Sequence, residues 1–527
     1  MNIIVARGLI ALFAGTLAFA AHAQAGDDLP ARVGRVANVQ GMLYHSPDDN
    51  AGEWSQIGLN DPVAQGDNLW VDRGGRAEVD YGGGQIRLAG DTNLHVSRLT
   101  ERRLALFVAA GSIIARVRAL EPEDSVRVDT PTTQVALTRP GLYRVDVDPE
   151  AARTTLIVRE GAADVATAAG TGQVLPGQTA VLTGRGNVTA DIRNGGGIDG
   201  FDTWGAARDR VYEAPRENAY VSREMVGSAD LDTYGAWQTY PDYGAVWFPT
   251  VDPEWAPYRF GHWTWLRDWG YAWVDDAPWG YAPFHYGRWA YVGGRWGWCP
   301  GAYVARPLWA PALVAWYDGA GFMRAPGHDG IVYGWVPLGW REPFVPSWRG
   351  CTSRCYARYN RPYAVDMAER PDARPTHFAN WSVPGGVTAV PAAALASGRP
   401  VAINRLPIAT NAAIAPPLSM TPPAVKPARV RPSAPIERPR VTPLPAPVQS
   451  IERPLRTPAS VPSPVRVPAP MPALALPYLA PAPAMPMAPP PRVVPQPPPI
   501  PAAVPAPTPA QHAPIRIAPV SPPERPN

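Results

Sequence analysis

Few residues in this chain are spaced for chemistry. His262 and His285 lie in two related aromatic phrases, Tyr258-Arg-Phe-Gly-His-Trp263 and Phe284-His-Tyr-Gly-Arg-Trp289. Such a pair could bind a metal or relay a proton, but the two histidines occupy different positions of the phrase, which favours local hydrogen bonding among aromatics. Asp275-Asp276 could act as paired carboxylates, yet Ala-Pro follows, and an Asp opening a turn accounts for the pattern. The three cysteines are Cys299, Cys351 and Cys355. With no His beside them and no second pair, zinc is not expected; an oxidising compartment would permit one disulfide, the odd thiol staying free or pairing between chains. Gly82-Gly-Gly84 is followed by neither a basic residue nor a helix start, so it reads as a turn rather than a phosphate cradle. Nucleophile elbow, phosphate loop and HExxH are all missing. The expectation is a protein that is not an enzyme and carries no cofactor or metal.

The elements around these residues are dominated by tryptophan. Sixteen of the 20 Trp fall between Trp237 and Trp348, and none follows Trp381. Phrases recur: Gly244-Ala-Val-Trp-Phe-Pro249, Gly297-Trp-Cys-Pro300 and Gly334-Trp-Val-Pro337, alternating with Trp255-Ala-Pro257 and Trp309-Ala-Pro311. Aromatics at i, i+2 beside Gly and Asp predict short strands in hairpins, because rings fill a pleated surface well. So many amphipathic rings need either a special core or a binding surface. Trp263, Trp265, Trp273, Trp289 and Trp298 are the candidate aromatic surface for stacking on a sugar or peptide. Gly and Pro interrupt the period every few residues, so the pattern assigns no faces. The phrases around Trp255, Tyr286, Trp298 and Trp340 resemble an uncharacterised Tyr/Trp-rich domain of exported bacterial proteins, a likeness that implies no known activity.

Residues 32–190 read as β. Arg76-Ala-Glu-Val-Asp-Tyr81, Gln85-Ile-Arg-Leu88 and Thr154-Thr-Leu-Ile-Val-Arg159 place apolar side chains on one face and polar ones on the other. Gly82-Gly-Gly84 separates two such runs and supplies a tight hairpin. Residues 103–118, with β-branched content and a central Gly111, predict two strands. Several phrases here resemble the periplasmic domain of the FecR family: Val33-Gly-Arg-Val36, Gln65-Gly-Asp67, Val128-Asp-Thr-Pro131, Pro140-Gly-Leu-Tyr-Arg-Val145, Val158-Arg-Glu-Gly161 and Val174-Leu-Pro-Gly-Gln178. Each is a turn or strand signal, so the resemblance implies a shared β scaffold and protein–protein sensing. FecR-type regulators carry a cytoplasmic anti-sigma segment and a membrane span before this domain; here the one long apolar run starts at residue 9.

That run, Leu9 to Ala21, follows Arg7 and precedes small residues suited to cleavage. It predicts a signal peptide over 1–25, export to the periplasm and no membrane span once cleaved. Residues 191–233 form a polar connector, part helical, with Phe201, Trp204, Ala207 and Val211 at 3-to-4 spacing and Asp209 and Arg210 outward. The Trp/Tyr-rich repeat domain occupies 234–360, and 361–527 is a disordered, proline-rich tail. Residues 382–527 hold 42 of the 67 Pro, and 13 Lys and Arg against 3 Glu. Repeated Pro removes backbone donors and favours extended polyproline geometry. The fold class is therefore mainly β: a FecR-like β domain, a smaller aromatic β-hairpin domain and a disordered tail. An envelope protein partner or a peptidoglycan or polysaccharide ligand is expected, with an intramolecular tail contact as a narrower idea. Nucleic acid is not, since the aromatic domain is near-neutral and the surplus positive charge lies elsewhere.

Overall fold

The computed structural model describes residues 31–47, 54–216, 219–318, 330–346, 348, 351–365, 378–407, 422–423 and 425. The expected signal segment and most of the proline-rich tail lie outside these residues. Among them the chain is mainly β, as its alternation predicts. In the strand Gly141–Asp148, Tyr143, Val145 and Val147 point into the core, while Leu142, Arg144 and Asp146 alternate with them on the opposite, half-buried face, where Leu142 packs with Phe201 and Trp204.

Seventeen strands between Gly34 and Asn194 form one hydrogen-bonded system. The strand Arg103–Val117 joins its two layers. Its first half pairs with Asn93–Leu99 and, in parallel, with Ser125–Asp129. Its second half pairs with Gly84–Ala89 and Gly141–Asp148. The expectation of two strands is thus corrected to one bent strand. Gly111 adopts φ 91° against Thr92, and the Thr92 hydroxyl bonds both the N–H and C=O of Ser112 at 3.0 Å. The chain turns from one layer to the other without losing its pairing. Val36, Leu69, Leu88, Val108, Ile113, Val145 and Leu156 fill the space between the layers. The Gly82 turn forms as expected, joining Arg76–Asp80 to Gly84–Ala89 with φ 86° at Gly82.

Two of the quoted phrases meet in a clasp. The Tyr143 hydroxyl donates to the Arg139 carbonyl at 2.5 Å and accepts from the Ala162 N–H at 3.0 Å. Gly161, at φ 89°, lies so close that an added Cβ would stand 2.1 Å from that hydroxyl. These residues hold strands together.

The connector contains the helix Gly200–Glu213, started by a capping box between Asp199 and Asp202. Its inward face differs from the expected one. Phe201, Trp204, Asp209 and Tyr212 are buried, whereas Val211 is exposed. Asp209 turns inward because Arg87 and Arg118 await it, at 2.9 and 2.8 Å. Glu78, fully buried, completes the network with Arg87, Arg208 and the Tyr212 hydroxyl.

The aromatic domain is a set of hairpins in which tryptophan faces tryptophan. Trp237 pairs with Trp247, Trp263 with Trp273, Trp289 with Trp298, and Trp316 with Trp335. Cross-strand ring pairs are a strong unit of sheet stabilisation. The tail boundary at 361 is corrected: Thr388–Pro391 is the third strand beside Val332–Pro337, and Phe378, Trp381, Leu395 and Val401 are buried. This stretch carries enough apolar side chains between its prolines to pack.

All of these elements fall in one compact unit. Arg35 of the first domain reaches Asn60, the Pro278 carbonyl and Asp230. Asn60 donates to the carbonyls of Asp275 and Ala277, both at 2.7 Å. Val33 belongs to the aromatic core itself.

Candidate binding site

Four of the five candidate surface tryptophans are not at the surface. Trp273 and Trp298 are 0 % exposed, Trp289 1 % and Trp263 2 %; Trp265 is 38 % exposed. The reading of these rings as a stacking surface is corrected to a core, and two of the four are also anchored by indole hydrogen bonds. Trp273 Nε1 donates to Asp275 at 3.0 Å, and Trp298 Nε1 to the Tyr286 carbonyl at 2.8 Å. Trp263 lies within 4.5–5.2 Å of the rings of Trp316, Trp335 and Trp273. Trp265 shares their face but sits nearer the hairpin turn, beyond the edge of the core, against Tyr271 at 5.1 Å.

The other candidates also serve the fold. His285 stacks on Trp309 at 5.0 Å and its Nδ1 meets the Ala310 carbonyl at 2.8 Å. Burial holds its pKa down to about 3, so it is neutral. Asp275 is buried and its neighbour Asp276 exposed, so they are no carboxylate pair. Burial pushes the Asp275 carboxyl well above the usual range, while the Ala277 N–H and the Trp273 indole oppose the shift. Cys351 and Cys355 form a disulfide and Cys299 is a buried thiol.

What the aromatic domain leaves open is a cavity of about 540 Å³. Its walls come from residues 220–225, from the turn after the short helix Ala282–His285, from the extended stretch 300–308 and from the helix Ser353–Asn360 with the turn after it. Thr352 caps that helix through Cys355 N–H, and the disulfide ties the residue before the cap to its first turn. Tyr356, Tyr359 and Asn360 are its buried face, and Tyr359 donates to the Trp309 carbonyl at 2.8 Å. Arg354, Arg358 and Arg361 follow at four- and three-residue spacing, so the last turn continues one basic face along the cavity. Tyr286, Tyr303 and Tyr363 add rings, Tyr303 being 62 % exposed.

The cavity is positive. Arg306 is neutralised by Asp124 and Glu224 and Arg358 by Glu101. Arg288 is fully buried and bonds neutral acceptors: the carbonyls of Glu342 and Gly287, each at 2.9 Å, and Asn360 Oδ1 at 3.2 Å. Its guanidinium lies 4.2 Å from the centre of the Tyr363 ring. Burial lowers its pKa, with Tyr363 and Glu342 opposing. Sequence reasoning missed this site because the boundary at 360/361 cut through it. The spacing of Arg354, Arg358 and Arg361 among Tyr356, Tyr359 and Tyr363 was the available signal.

Comparison with known proteins adds little about activity. No curated protein matches the chain. Two crystal structures of a candidate anti-sigma factor from Parabacteroides distasonis ATCC 8503 align at 16 % identity and a TM-score of 0.22 each. One alignment covers 24 % of this chain and 59 % of that one, the other 35 % and 99 %. So remote a likeness carries no functional argument. Among the described residues no helix is long and apolar enough to cross a membrane. Residues 228–342, which hold the tryptophan hairpins and part of the cavity wall, match the model of a family of unknown function, DUF6600.

Proposed function

We propose that this chain is an exported, non-catalytic binding protein of the cell envelope. The first domain, FecR-like by its phrases, is the scaffold, and the cavity of the aromatic domain is the recognition site. The observation that carries this reading is the cavity itself. Its volume is that of a small-ligand site, about 300–1,000 Å³, and its rings and guanidinium groups are poised for contact rather than for bond-making. The partner is a polymer of the cell wall. Its test is co-sedimentation with purified peptidoglycan sacculi, comparing residues 26–527 with 26–407, a cut that spares the packed stretch 378–407. Pelleting of both forms supports the cavity. Pelleting that needs the tail and vanishes in salt assigns binding to basic charge instead, and loss of pelleting in both forms sinks the wall reading.

A contact between the proline-rich segment and the aromatic domain is a second reading, favoured by one detail. Pro422 and Pro423 are half-buried, and Pro422 Cγ stands 3.6 Å from where a Cβ on Gly270 would lie. Gly270 closes the hairpin that carries Trp265. Removing residues 408–527 is expected to shift Trp emission to the red; an unchanged spectrum would count against the contact.

A further inference from the structure

We propose that the cavity is specific for an acidic saccharide, its carboxylate held between Arg354 and Arg361 and its ring resting on Tyr303. This rests on the binding reading above and names the ligand class for the same site. Arg354 and Arg361 are exposed and, among the described residues, neither is ion-paired, whereas Arg358 between them is occupied by Glu101. Behind them, Arg288 places a cation that no carboxylate among the described residues pairs with. A buried cation without a directly paired carboxylate, behind two arginines that are not ion-paired among the described residues, favours an anion, and a guanidinium fork suits a carboxylate. Tyr303, 62 % exposed at the cavity wall, supplies a flat face for the C–H side of a pyranose, while Tyr286 and Tyr363 are buried behind it. The basic proline-rich tail, with 13 Lys and Arg against 3 Glu over 382–527, is electrostatically mismatched to this cavity.

The test is calorimetric titration of the full chain with two disaccharides of the same ring geometry. One is N-acetylglucosaminyl-N-acetylmuramic acid, which carries a lactyl carboxylate; the other is neutral chitobiose. The acid is expected to bind about tenfold more tightly at low salt. The double variant Arg354→Ala/Arg361→Ala should erase that preference, and Tyr303→Ala should weaken both sugars alike. All three side chains are exposed, and circular dichroism verifies that the variants fold. Equal binding of the two sugars, or a preference that survives the double variant, overturns the proposal. So does displacement of the acid sugar by equimolar inorganic phosphate or by the dipeptide L-alanyl-D-glutamate. If sacculi still pellet while neither disaccharide binds, the saccharide assignment fails and the wall-binding reading stands; if neither occurs, both fail.

Discussion

Trp263 and Trp265 are two residues apart on one strand, and replacing each by Ala should give very different results. Trp263 is 2 % exposed and packs on Trp316, Trp335, Trp273 and Tyr258 at 4.5, 5.1, 5.2 and 6.5 Å. A buried indole of about 200 Å² at about 25 cal/mol per Å² corresponds to about 5 kcal/mol. Discounting for a partly compact unfolded chain leaves about 4 kcal/mol, within the range for Trp→Ala in a core. Trp265 keeps more than a third of its surface in water and, among the described residues, has one ring partner, Tyr271. Its removal opens no enclosed void and should cost about 2 kcal/mol or less. With a urea slope of about 3 kcal/mol per M, the midpoint falls by about 1.3 M for Trp263→Ala and about 0.7 M or less for Trp265→Ala. Far-UV circular dichroism of the full chain in urea measures both. Equal shifts, or a larger one for Trp265→Ala, would refute the assignment of Trp263 to the core.

Four further outcomes are expected. Arg87→Ala removes the cation that Glu78 and Asp209 share, leaving Glu78 with Arg208 and Asp209 with Arg118, and should cost about 1.5–3 kcal/mol in the same urea assay; a loss below 1 kcal/mol would mean the network is solvated. His285, with its pKa near 3 against 6.5 for the free side chain, binds no proton where the unfolded chain does. Its contribution to stability is therefore lost as pH falls from 6.5 toward 3, and imidazole nitrogen shifts at pH 5 should be those of the neutral ring; an imidazolium signal would contradict the burial. Asp275, raised well above 3.8, acts with the opposite slope: its folded form holds a proton that the unfolded chain has released, so stability declines as pH rises above 3.8. Asp275→Asn should flatten that decline in melts between pH 4 and 7, and an identical slope would exclude the carboxyl as its source. Finally, Gly287 has φ 78°, and an added Cβ would lie 2.2 Å from Trp298 Nε1. Gly287→Ala should lower stability by about 2 kcal/mol or more, seen as a drop in melting temperature, while an unchanged melt would show that the turn relaxes freely.

The fold was legible wherever one rule decided it. Alternation marked the strands of the first domain, and Gly82 marked its hairpin because a positive φ was needed there. Gly111 was seen but misread, since a glycine that bends a strand and one that ends it leave the same trace in sequence. Asp209 was placed outward on helical spacing alone; the arginines that draw it inward come from positions up to 122 residues away. Trp263 and Trp273 were recognised as important, yet period-two spacing fixes which residues share a face and leaves open whether that face is wet. The cavity was the least legible part, because Arg288 and Arg354 come together through four separate segments. Proline counting hid 378–407, where Trp381, Leu395 and Val401 outweigh the prolines around them.

The contact of Val33 with the aromatic core bears on the order in which the polypeptide is made. The Tyr281 hydroxyl that closes on the backbone of Val33 and Gly34 lies 248 and 247 residues downstream of them, and the Trp309 N–H that bonds the Ala31 carbonyl is later still. At about 5–20 residues per second, the first strand emerges from the ribosome roughly 12–50 s before these partners exist. Throughout that interval the margin of the first domain at Val33 lacks the side chains that cover it in the folded chain. Whatever shelters Val33 in the meantime, a chaperone or a transient fold of the young chain, must let go when the tryptophan hairpins arrive.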